Sequence, residues 1–218
     1  MMTEPHTVKT WKDFTFYRKA DSIMNGYSEA PFVNRLFHIN YVQRFLCMLR
    51  LTELLKNNLH KYKILYLPYF FCSRRLDRLS CRCGFSISLN TLSYGVYLPH
   101  HGTCVINAYT RVGSFCAIFN NVCIGDTPAK KIGKGVYLGT GVVVIKDANI
   151  ADYVMISANT LVNKSISTKK TLWGGVPARL LKEDVQPWFM QWPWKDRVEK
   201  IKHLREKMYN IDIITNHI

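Results

Sequence analysis

The chain has 218 residues, of which 48% are hydrophobic and 21% are charged, and this composition excludes a disordered chain or a low-complexity linker. Its 30 lysine and arginine residues outnumber 15 aspartate and glutamate residues, which gives a formal net charge of +15. Such an excess favours an anionic partner, whether nucleic acid, a phosphorylated ligand or an acidic lipid surface, and carries no information about the fold.

The sequence predicts neither a secretory signal nor a membrane-spanning helix. Residues 1–11 carry Glu4 and His6 and lack an apolar core. The longest apolar stretch near the middle of the chain covers residues 64–72 and contains Pro68. A membrane span needs about 20 apolar residues, so this stretch is too short. Because the chain has seven cysteines and no export signal, we predict a cytoplasmic protein with reduced thiols.

Residues 1–83 are predicted to form a helical, basic N-terminal region. Residues 8–25 are expected to form a short helix, and residues 31–58 a long amphipathic one. The long helix is predicted from apolar side chains at helical spacing, namely Leu36, Ile39, Val42, Leu46 and Leu49.

The end of this region, residues 50–83, combines basic and aromatic side chains. The cations are Arg50, Lys56, Lys61, Lys63, Arg74, Arg75, Arg78 and Arg82, and the aromatic residues are Tyr62, Tyr66, Tyr69, Phe70 and Phe71. This mixture suits peripheral contact with an anionic membrane, but it also suits RNA or a basic helical cap on the next domain. We expect no nucleic acid partner. Cys72, Cys81 and Cys83 have no fourth ligand at suitable spacing, so no metal site is predicted.

A six-residue repeat of aliphatic side chains begins at residue 92. Its members are Leu92, Leu98, Ile106, Val112, Ile118, Ile124, Ile132, Leu138, Val144, Ile150, Ile156 and Val162. Nine of the eleven steps between them are six residues long and two are eight. A period of six fits neither an α-helix nor a hairpin meander. It predicts a mainly β fold, a parallel β-helix of about four coils in which three hexapeptides form one triangular coil.

The repeat also places polar residues along one edge of the predicted coils. Leu98, Ile118, Leu138 and Ile156 fall on one face, and two residues after each of them come His100, Asn120, Thr140 and Ala158. These four are expected to form a vertical column, a groove for a long thin ligand with its reactive end at His100. The eight-residue step after Leu98 predicts a bulge where His100 lies.

Three segments carry a resemblance to a known family. They are Gly84–Asn90 (GFSISLN), Gly95–Thr103 (GVYLPHHGT) and Gly174–Arg179 (GGVPAR). Residues 84–182 resemble the left-handed β-helix acyltransferases, in the branch of serine acetyltransferase and the O-acetyltransferases of capsule and lipopolysaccharide gene clusters. The likeness extends weakly to Tyr17–Asp21. It implies a left-handed coil, against the usual right-handed crossover rule, together with a homotrimer and acetyl-CoA as the donor.

The resemblance assigns the catalytic base to His100. An acceptor hydroxyl needs a base to take its proton as it attacks the thioester, and imidazole suits this role because its pKa lies near working pH. His101 is the weaker candidate for the base and, with Asp126, a candidate for binding the acceptor. The group that orients His100 is left open between Asn120, a backbone carbonyl and an acid from a neighbouring subunit.

The same resemblance predicts where acetyl-CoA binds. Small residues are expected to keep the edge open for the pantetheine arm, at Gly139, Thr140, Ser157 and Ala158. Cations near the C-terminal end of the coils are expected to bind its phosphates, namely Lys164, Lys169, Lys170, Arg179 and Lys182. Trp173 either stacks on adenine or caps the last coil.

The sequence also departs from the serine acetyltransferases. They have an aspartate directly before the histidine, where this chain has Pro99, and they have an orienting aspartate upstream, where residues 85–88 hold no carboxylate. Their Arg–His pair, which binds the serine carboxylate, aligns with Pro128 and Ala129 in a short loop covering 126–131. A carboxylate clamp is missing, which favours a sugar hydroxyl as the acceptor.

We therefore divide the chain into residues 1–83, an acyltransferase domain covering 84–182, and a tryptophan-rich segment with a last helix covering 183–218. The leading hypothesis is an O-acetyltransferase acting on a bacterial capsule or O-antigen polysaccharide or its lipid-linked precursor, in the cytoplasm or at the inner face of the membrane. The alternatives are a serine or other small-acceptor O-acetyltransferase and a non-catalytic β-helix scaffold.

Overall fold

A computed structural model describes residues 7–27, 40–125 and 129–209. The helices are α1 (Trp11–Met24), α2 (Tyr41–Asn58), α3 (Tyr66–Cys83) and α4 (Trp194–Tyr209), with short 3₁₀ turns at Lys63–Leu65 and Trp188–Met190. The strands are β1 (Phe85–Ile87), β2 (Cys104–Ile106), β3 (Arg111–Val112), β4 (Ala117–Ile118), β5 (Val122–Ile124), β6 (Lys131–Ile132), β7 (Tyr137–Leu138), β8 (Val143–Val144), β9 (Met155–Ile156), β10 (Leu161–Val162), β11 (Leu172–Gly174) and β12 (Arg179–Lys182).

The N-terminal helices begin and end at recognisable capping residues. In a capping box, the Thr10 side chain accepts from the Asp13 N–H while the Asp13 carboxylate accepts from the Thr10 N–H. The predicted helix over 8–25 is thus found at α1. The longer predicted helix is found at α2. Its predicted first part, residues 31–39, lies outside the described residues. Helix α3 ends at Gly84, whose φ of 75° favours glycine.

The six-residue period builds a triangular parallel β-helix. One sheet has the order β1-β2-β5-β8-β10 and a second has β12-β11-β9-β7-β4, while β3, β6 and isolated bridges at Leu92, Ile150 and Ile166 form the third face. All neighbouring strands are parallel except β11 and β12. Five coils are present instead of about four, because β1 and β11 extend the stack beyond the in-phase aliphatic run.

The predicted stacking of the inward-facing residues is confirmed. Ile118 is in register with Leu138, and Leu138 is in register with Ile156. These side chains are no more than 2% exposed. Each coil buries its apolar side chains only by stacking on the next one, so the interior is one continuous core. The division into three domains stays a prediction.

A second, aromatic core joins the helices to the outside of the coils. The side chains of Phe16, Tyr17, Tyr94, Phe115 and Ile201 are almost fully buried there, together with Trp188 and Phe189. The Trp188 indole N–H donates to the Phe115 carbonyl at 3.0 Å, which attaches the C-terminal segment to the coil stack.

The first coil is closed by polar side chains of the helices, a group we call the polar cap: Asp21, Arg50 and Glu53 are buried, and Asn25, the residue that caps the end of α1, is partly buried. The Arg50 guanidinium donates to the carbonyls of Leu92 (2.8 Å) and Ser93 (2.7 Å) and pairs with Asp21 and Glu53. A first coil has no coil above it to pair its backbone, and an unpaired buried backbone group is costly. The polar cap supplies the missing partners.

Candidate active site at the edge of the coils

His100 lies in a bulge made by two extra residues. Upstream, Tyr97 is in register with Ala117, which places position 100 opposite Asn120. Downstream, Cys104 is in register with Val122, which places position 102 opposite Asn120. Both registers therefore converge on Asn120, and the chain between them must leave the coil. This confirms the bulge predicted from the eight-residue step.

Gly102, not His100, occupies the place in the column directly above Asn120. A Cβ added to Gly102 would lie 3.2 Å from the Asn120 Cβ, and its φ of 134° is one that other residues rarely adopt. Its N–H donates to the Cys83 carbonyl at 2.8 Å. The expected column of four is thus corrected: Asn120, Thr140 and Ala158 follow the stack, and His100 lies beside it because the bulge displaces it.

The His100 side chain is exposed, and its ring centroid lies 6.2 Å from that of Phe119. Asn120 accepts a hydrogen bond from the Thr140 hydroxyl at 3.1 Å, so in the described part of the chain its amide contacts the next coil and not His100. His101 is also exposed, next to His100. Asp126 lies outside the described residues. An exposed imidazole in this position is accessible to an acceptor hydroxyl.

The chain leading to His100 is fixed by the polar cap. The Asn25 side chain accepts from the Leu98 N–H (2.9 Å) and donates to the Val96 carbonyl (2.8 Å). The Asp21 carboxylate accepts from the Gly95 N–H at 2.8 Å. The end of α1 therefore positions the strand that precedes the bulge. Sequence reasoning assigned no role to these two residues, and their only signal was Asp21 in the segment that weakly resembles the family.

Below the bulge lie the four small residues that the sequence assigned to the pantetheine arm, an assignment that stays a prediction. Gly139 is buried against the coil beneath it, and an added Cβ would lie 2.9 Å from the Ala158 nitrogen. Thr140 and Ser157 are partly exposed, and Ala158 is exposed. Small side chains at these positions leave the backbone at this edge accessible.

The predicted phosphate-binding cations do not form one cluster. Arg179 lies opposite Gly174, and an added Gly174 Cβ would lie 3.4 Å from the Ser157 side chain, so Arg179 is near the small-residue edge. Lys169 pairs with Asp152 at 3.1 Å, at another corner of the triangle. Lys164, Lys170 and Lys182 are exposed, with Lys182 opposite Leu172 at the far end of β11. The triangular path separates residues that are close in sequence.

Trp173 and Lys164 line one cavity at the open lower end of the coils. The cavity has a volume of about 320 Å³ and is completed by Asn163, Ser165, Ile166, Pro177 and Ala178. Trp173 packs against the core, and its indole N–H donates to the Thr171 hydroxyl at 2.9 Å. Trp173 therefore contacts both the core of the last coil and the cavity, and its proposed stacking on adenine stays a prediction.

An aromatic groove of about 260 Å³ lies next to His100 and was not anticipated. It is lined by Tyr97, Phe119, Tyr137, Met155, Trp188, Gln191 and Trp194. Phe119 belongs both to this groove and to the surroundings of His100. Tyr97 and Trp188 stack at 5.6 Å with an interplanar angle of 19°. The sequence held a signal, because Tyr97, Tyr137 and Met155 each precede an inward-facing aliphatic residue of the repeat.

The structure also bears on metal binding, membrane crossing and disulfide bonding. Across residues 7–27, 40–125 and 129–209, no three His, Cys, Asp or Glu side chains come together in a way that could hold a metal ion. Over the same ranges, no helix combines the length and apolarity that a membrane crossing needs. None of the seven cysteines forms a disulfide, and burial raises the pKa of the Cys104 thiol to about 12.

Comparison with solved structures identifies the architecture. The chain superimposes on a serine acetyltransferase from Brucella abortus with a TM-score of 0.60 and 22% identity, over 78% of this chain and 70% of that one. For the soybean serine acetyltransferase apoenzyme the TM-score is 0.62 and the identity 18%, over 77% and 69%. A serine acetyltransferase in complex with CoA matches with a TM-score of 0.57 and 18% identity, over 75% and 68%.

The chain has the serine acetyltransferase fold. The predicted left-handed parallel β-helix with N-terminal helices and a C-terminal helix is therefore confirmed. A scan against protein-family models and a search of curated proteins gave no match. These comparisons establish the fold of the chain and not its activity.

Proposed function

We propose that this protein is an O-acetyltransferase that moves an acetyl group from acetyl-CoA to a sugar hydroxyl. The acceptor is a bacterial surface polysaccharide, of capsule or O-antigen type, or its lipid-linked precursor. The observation that carries the proposal is the exposed His100, raised from the coil in a bulge, with a small-residue edge below it and an aromatic groove beside it.

His100 acts as the general base. Its imidazole takes the proton of the acceptor hydroxyl while the hydroxyl oxygen forms a bond to the acetyl carbon and the carbon–sulfur bond breaks. The proton then passes to the departing sulfur, which leaves as the CoA thiol. Proton removal of this kind typically contributes about 10² to 10⁴-fold in rate. A backbone N–H at the bulge stabilises the charge that develops on the carbonyl oxygen.

The donor binds along the edge below His100. Gly139, Thr140, Ser157 and Ala158 leave backbone groups open to the pantetheine arm, and Arg179 supplies a cation beside Ser157. Lys164 and the ring edge of Trp173 share the cavity at the end of the stack. These residues fit a thin chain ending in an anionic nucleotide. Lys169 contributes less, because Asp152 neutralises it.

The acceptor binds in the aromatic groove. Aromatic side chains offer flat apolar surfaces with polar groups at their edges, and such surfaces suit the apolar face of a sugar ring. The Gln191 side chain adds hydrogen-bonding groups to a wall formed by Tyr97, Phe119, Tyr137 and the two tryptophans. Among the described residues that line the groove there is no arginine or lysine for a free carboxylate, which agrees with the missing Arg–His pair in the sequence.

Serine O-acetylation is the second candidate, and the fold comparison favours it directly. The two are separated by incubating the protein and acetyl-CoA with either serine or cell-envelope glycan, then following CoA release and product mass. Loss of a charged bidentate contact typically costs about 1.5 to 3 kcal/mol, so serine should be a poor acceptor. Efficient serine acetylation without transfer to any glycan would overturn the proposed acceptor.

A further inference from the structure

Helix α3 and the turn before it present large apolar side chains to solvent. Ile64 is 84% exposed, Leu67 is 66% exposed and Phe71 is 62% exposed, and Tyr66 and Phe70 are more than half exposed. Contiguous exposed apolar patches are rare on soluble proteins and mark interaction surfaces. This apolar patch (Ile64, Tyr66, Leu67, Phe70 and Phe71) has no role in the acetyl-transfer site.

The patch lies opposite the face that α3 buries. Leu76, Leu79 and Cys83 are buried and pack in the core with α2. At 100° per residue, Leu67 points about 150° away from the mean direction of these three side chains, and Phe71 points about 110° away. Trp11, 66% exposed, extends the patch at its N-terminal end, where it shares a cavity of about 330 Å³ with Tyr62 and Leu65. Because Leu65 lies between Ile64 and Tyr66 in the chain, Trp11 brings a further exposed apolar side chain close to the start of the patch.

The second half of the same helix face is basic. Arg74 and Arg78 follow Leu67 and Phe71 at helical spacing, and both are exposed. Arg75 and Arg82 flank them, and Asp77 is the only acidic residue in α3. Lys61 and Lys63 add two exposed cations before the patch. One side of α3 is thus apolar in its first half and cationic in its second.

We infer that this side of α3 docks on an anionic phospholipid bilayer. An interfacial helix buries its apolar side chains at the boundary between headgroups and acyl chains, and its basic residues meet the lipid phosphates. Charge complementarity selects this occupant: a second copy docked through the same side of α3 would bring the exposed Arg74 and Arg78 side chains of both copies together, and like charges repel. RNA would leave the aliphatic side chains of Ile64 and Leu67 without a suitable partner.

Vesicle sedimentation tests the inference without acetyl-CoA or acceptor, so its outcome is independent of the proposed function. The full chain is mixed with phosphatidylcholine vesicles with or without about 30% phosphatidylglycerol. We expect binding to the anionic vesicles that weakens with salt. Leu67→Glu with Phe71→Glu should lower the partition coefficient by more than roughly tenfold for each side chain, and Arg74→Gln with Arg78→Gln by roughly fivefold for each charge.

Two control variants distinguish binding through this surface from binding driven by the overall positive charge or by any exposed apolar side chain. Lys195→Gln with Lys207→Gln removes two exposed cations from α4, and Tyr109→Glu places an acid at an exposed aromatic position on the coils. Both should bind vesicles nearly as the parent does. Equal binding by the parent and the Leu67/Phe71 variant would overturn the inference. So would a parent that ignores the vesicles but self-associates or retains RNA through this surface.

Discussion

At the residue scale, the reactivity of His100 depends on where two extra residues are accommodated. A coil without them would place residue 100 in the stack above Asn120, where a side chain is held by its neighbours. The bulge instead gives this position to Gly102 and leaves His100 exposed against Phe119. The proposed base is therefore separated from the core, and its loss should affect chemistry and not folding.

Replacing His100 by alanine should abolish acetyl transfer while leaving thermal stability and acetyl-CoA binding near those of the parent. The physical reason is that the imidazole moves only a proton, a contribution of about 10² to 10⁴-fold. CoA release and isothermal calorimetry with acetyl-CoA measure the two effects. His101→Ala is the matched control and should retain most activity. A His100→Ala protein with parental turnover on either acceptor would disprove the assignment.

Gly102→Ala should destabilise the protein by about 1–3 kcal/mol, because a φ of 134° is strained for any residue with a Cβ. The new Cβ would also press on Asn120. Denaturant unfolding measures the loss. Gly125→Ala is the control, since its φ lies outside the strained range and its nearest contact is the Cys123 side chain. A smaller loss for Gly102→Ala than for the control would show that the bulge adapts easily.

At the element scale, the helices complete the β-helix as well as covering it. The end of α1 and the middle of α2 place the polar cap on backbone groups that a sixth coil would otherwise pair. Burial raises the pKa of both Asp21 and Glu53, although Arg50 opposes this in each case. The same contacts hold the chain that leads into the His100 bulge, so the position of this site depends on the packing of α1 against the first coil.

Arg50→Ala should cost about 3–5 kcal/mol of unfolding free energy, because it removes the guanidinium that pairs with two buried carboxyl groups and donates to two backbone carbonyls. Urea denaturation measures this. Lys169→Ala removes a cation from the exposed pair with Asp152 and should cost less than about 1 kcal/mol. Similar costs for the two variants would show that the first coil does not depend on the polar cap.

The contact between α1 and α4 should weaken at acidic pH. Burial raises the pKa of Asp13, but hydrogen bonds from Tyr209 and Thr10 outweigh it and hold the pKa below its ordinary value of 3.8. A lowered folded-state pKa contributes stability that is present above the unfolded value and is lost as the pH falls through the folded one. Asp13→Asn should therefore flatten the acid limb of stability against pH; an unchanged limb would contradict this.

At the scale of the whole molecule, a single β-helix offers only one wall of a donor site. The edge below His100 is open to solvent, and the phosphate-binding candidates are spread over different corners of the triangle. A second subunit placed against this edge would enclose the donor and bring further cations to it. The resemblance noted in the sequence implies a homotrimer for the same reason.

We predict a homotrimer in solution, with three times the 25.3 kDa mass of the chain. Multi-angle light scattering at micromolar concentration measures it directly. The Leu67→Glu and Phe71→Glu double variant should leave the trimer intact, because the apolar patch lies on the helices and not at the edge. A monomeric parent would refute the prediction, and a trimer lost in the double variant would place the subunit contact at α3.

The sequence by itself determined the parallel β-helix, its inward-facing columns and the bulge at His100. These follow from a local period, since each coil repeats the same inside and outside pattern and stacks only on its neighbours. The number of coils was predicted as about four and not five, because the strands that contain Phe85 and Trp173 lie outside the six-residue aliphatic repeat that identifies the other strands.

Only the tertiary structure decided the polar cap, the aromatic groove and the scattering of the predicted cations. Arg50 meets the first coil across 42 positions of sequence and Asp21 across 74, and Tyr97 meets Trp188 across more than 90. Such contacts leave no periodic pattern in the sequence from which they could be predicted, because they form where the helices cover the ends and faces of the coil stack. Lys164 and Lys169 are only five residues apart in the chain, but the triangular path of the coil places them at different corners.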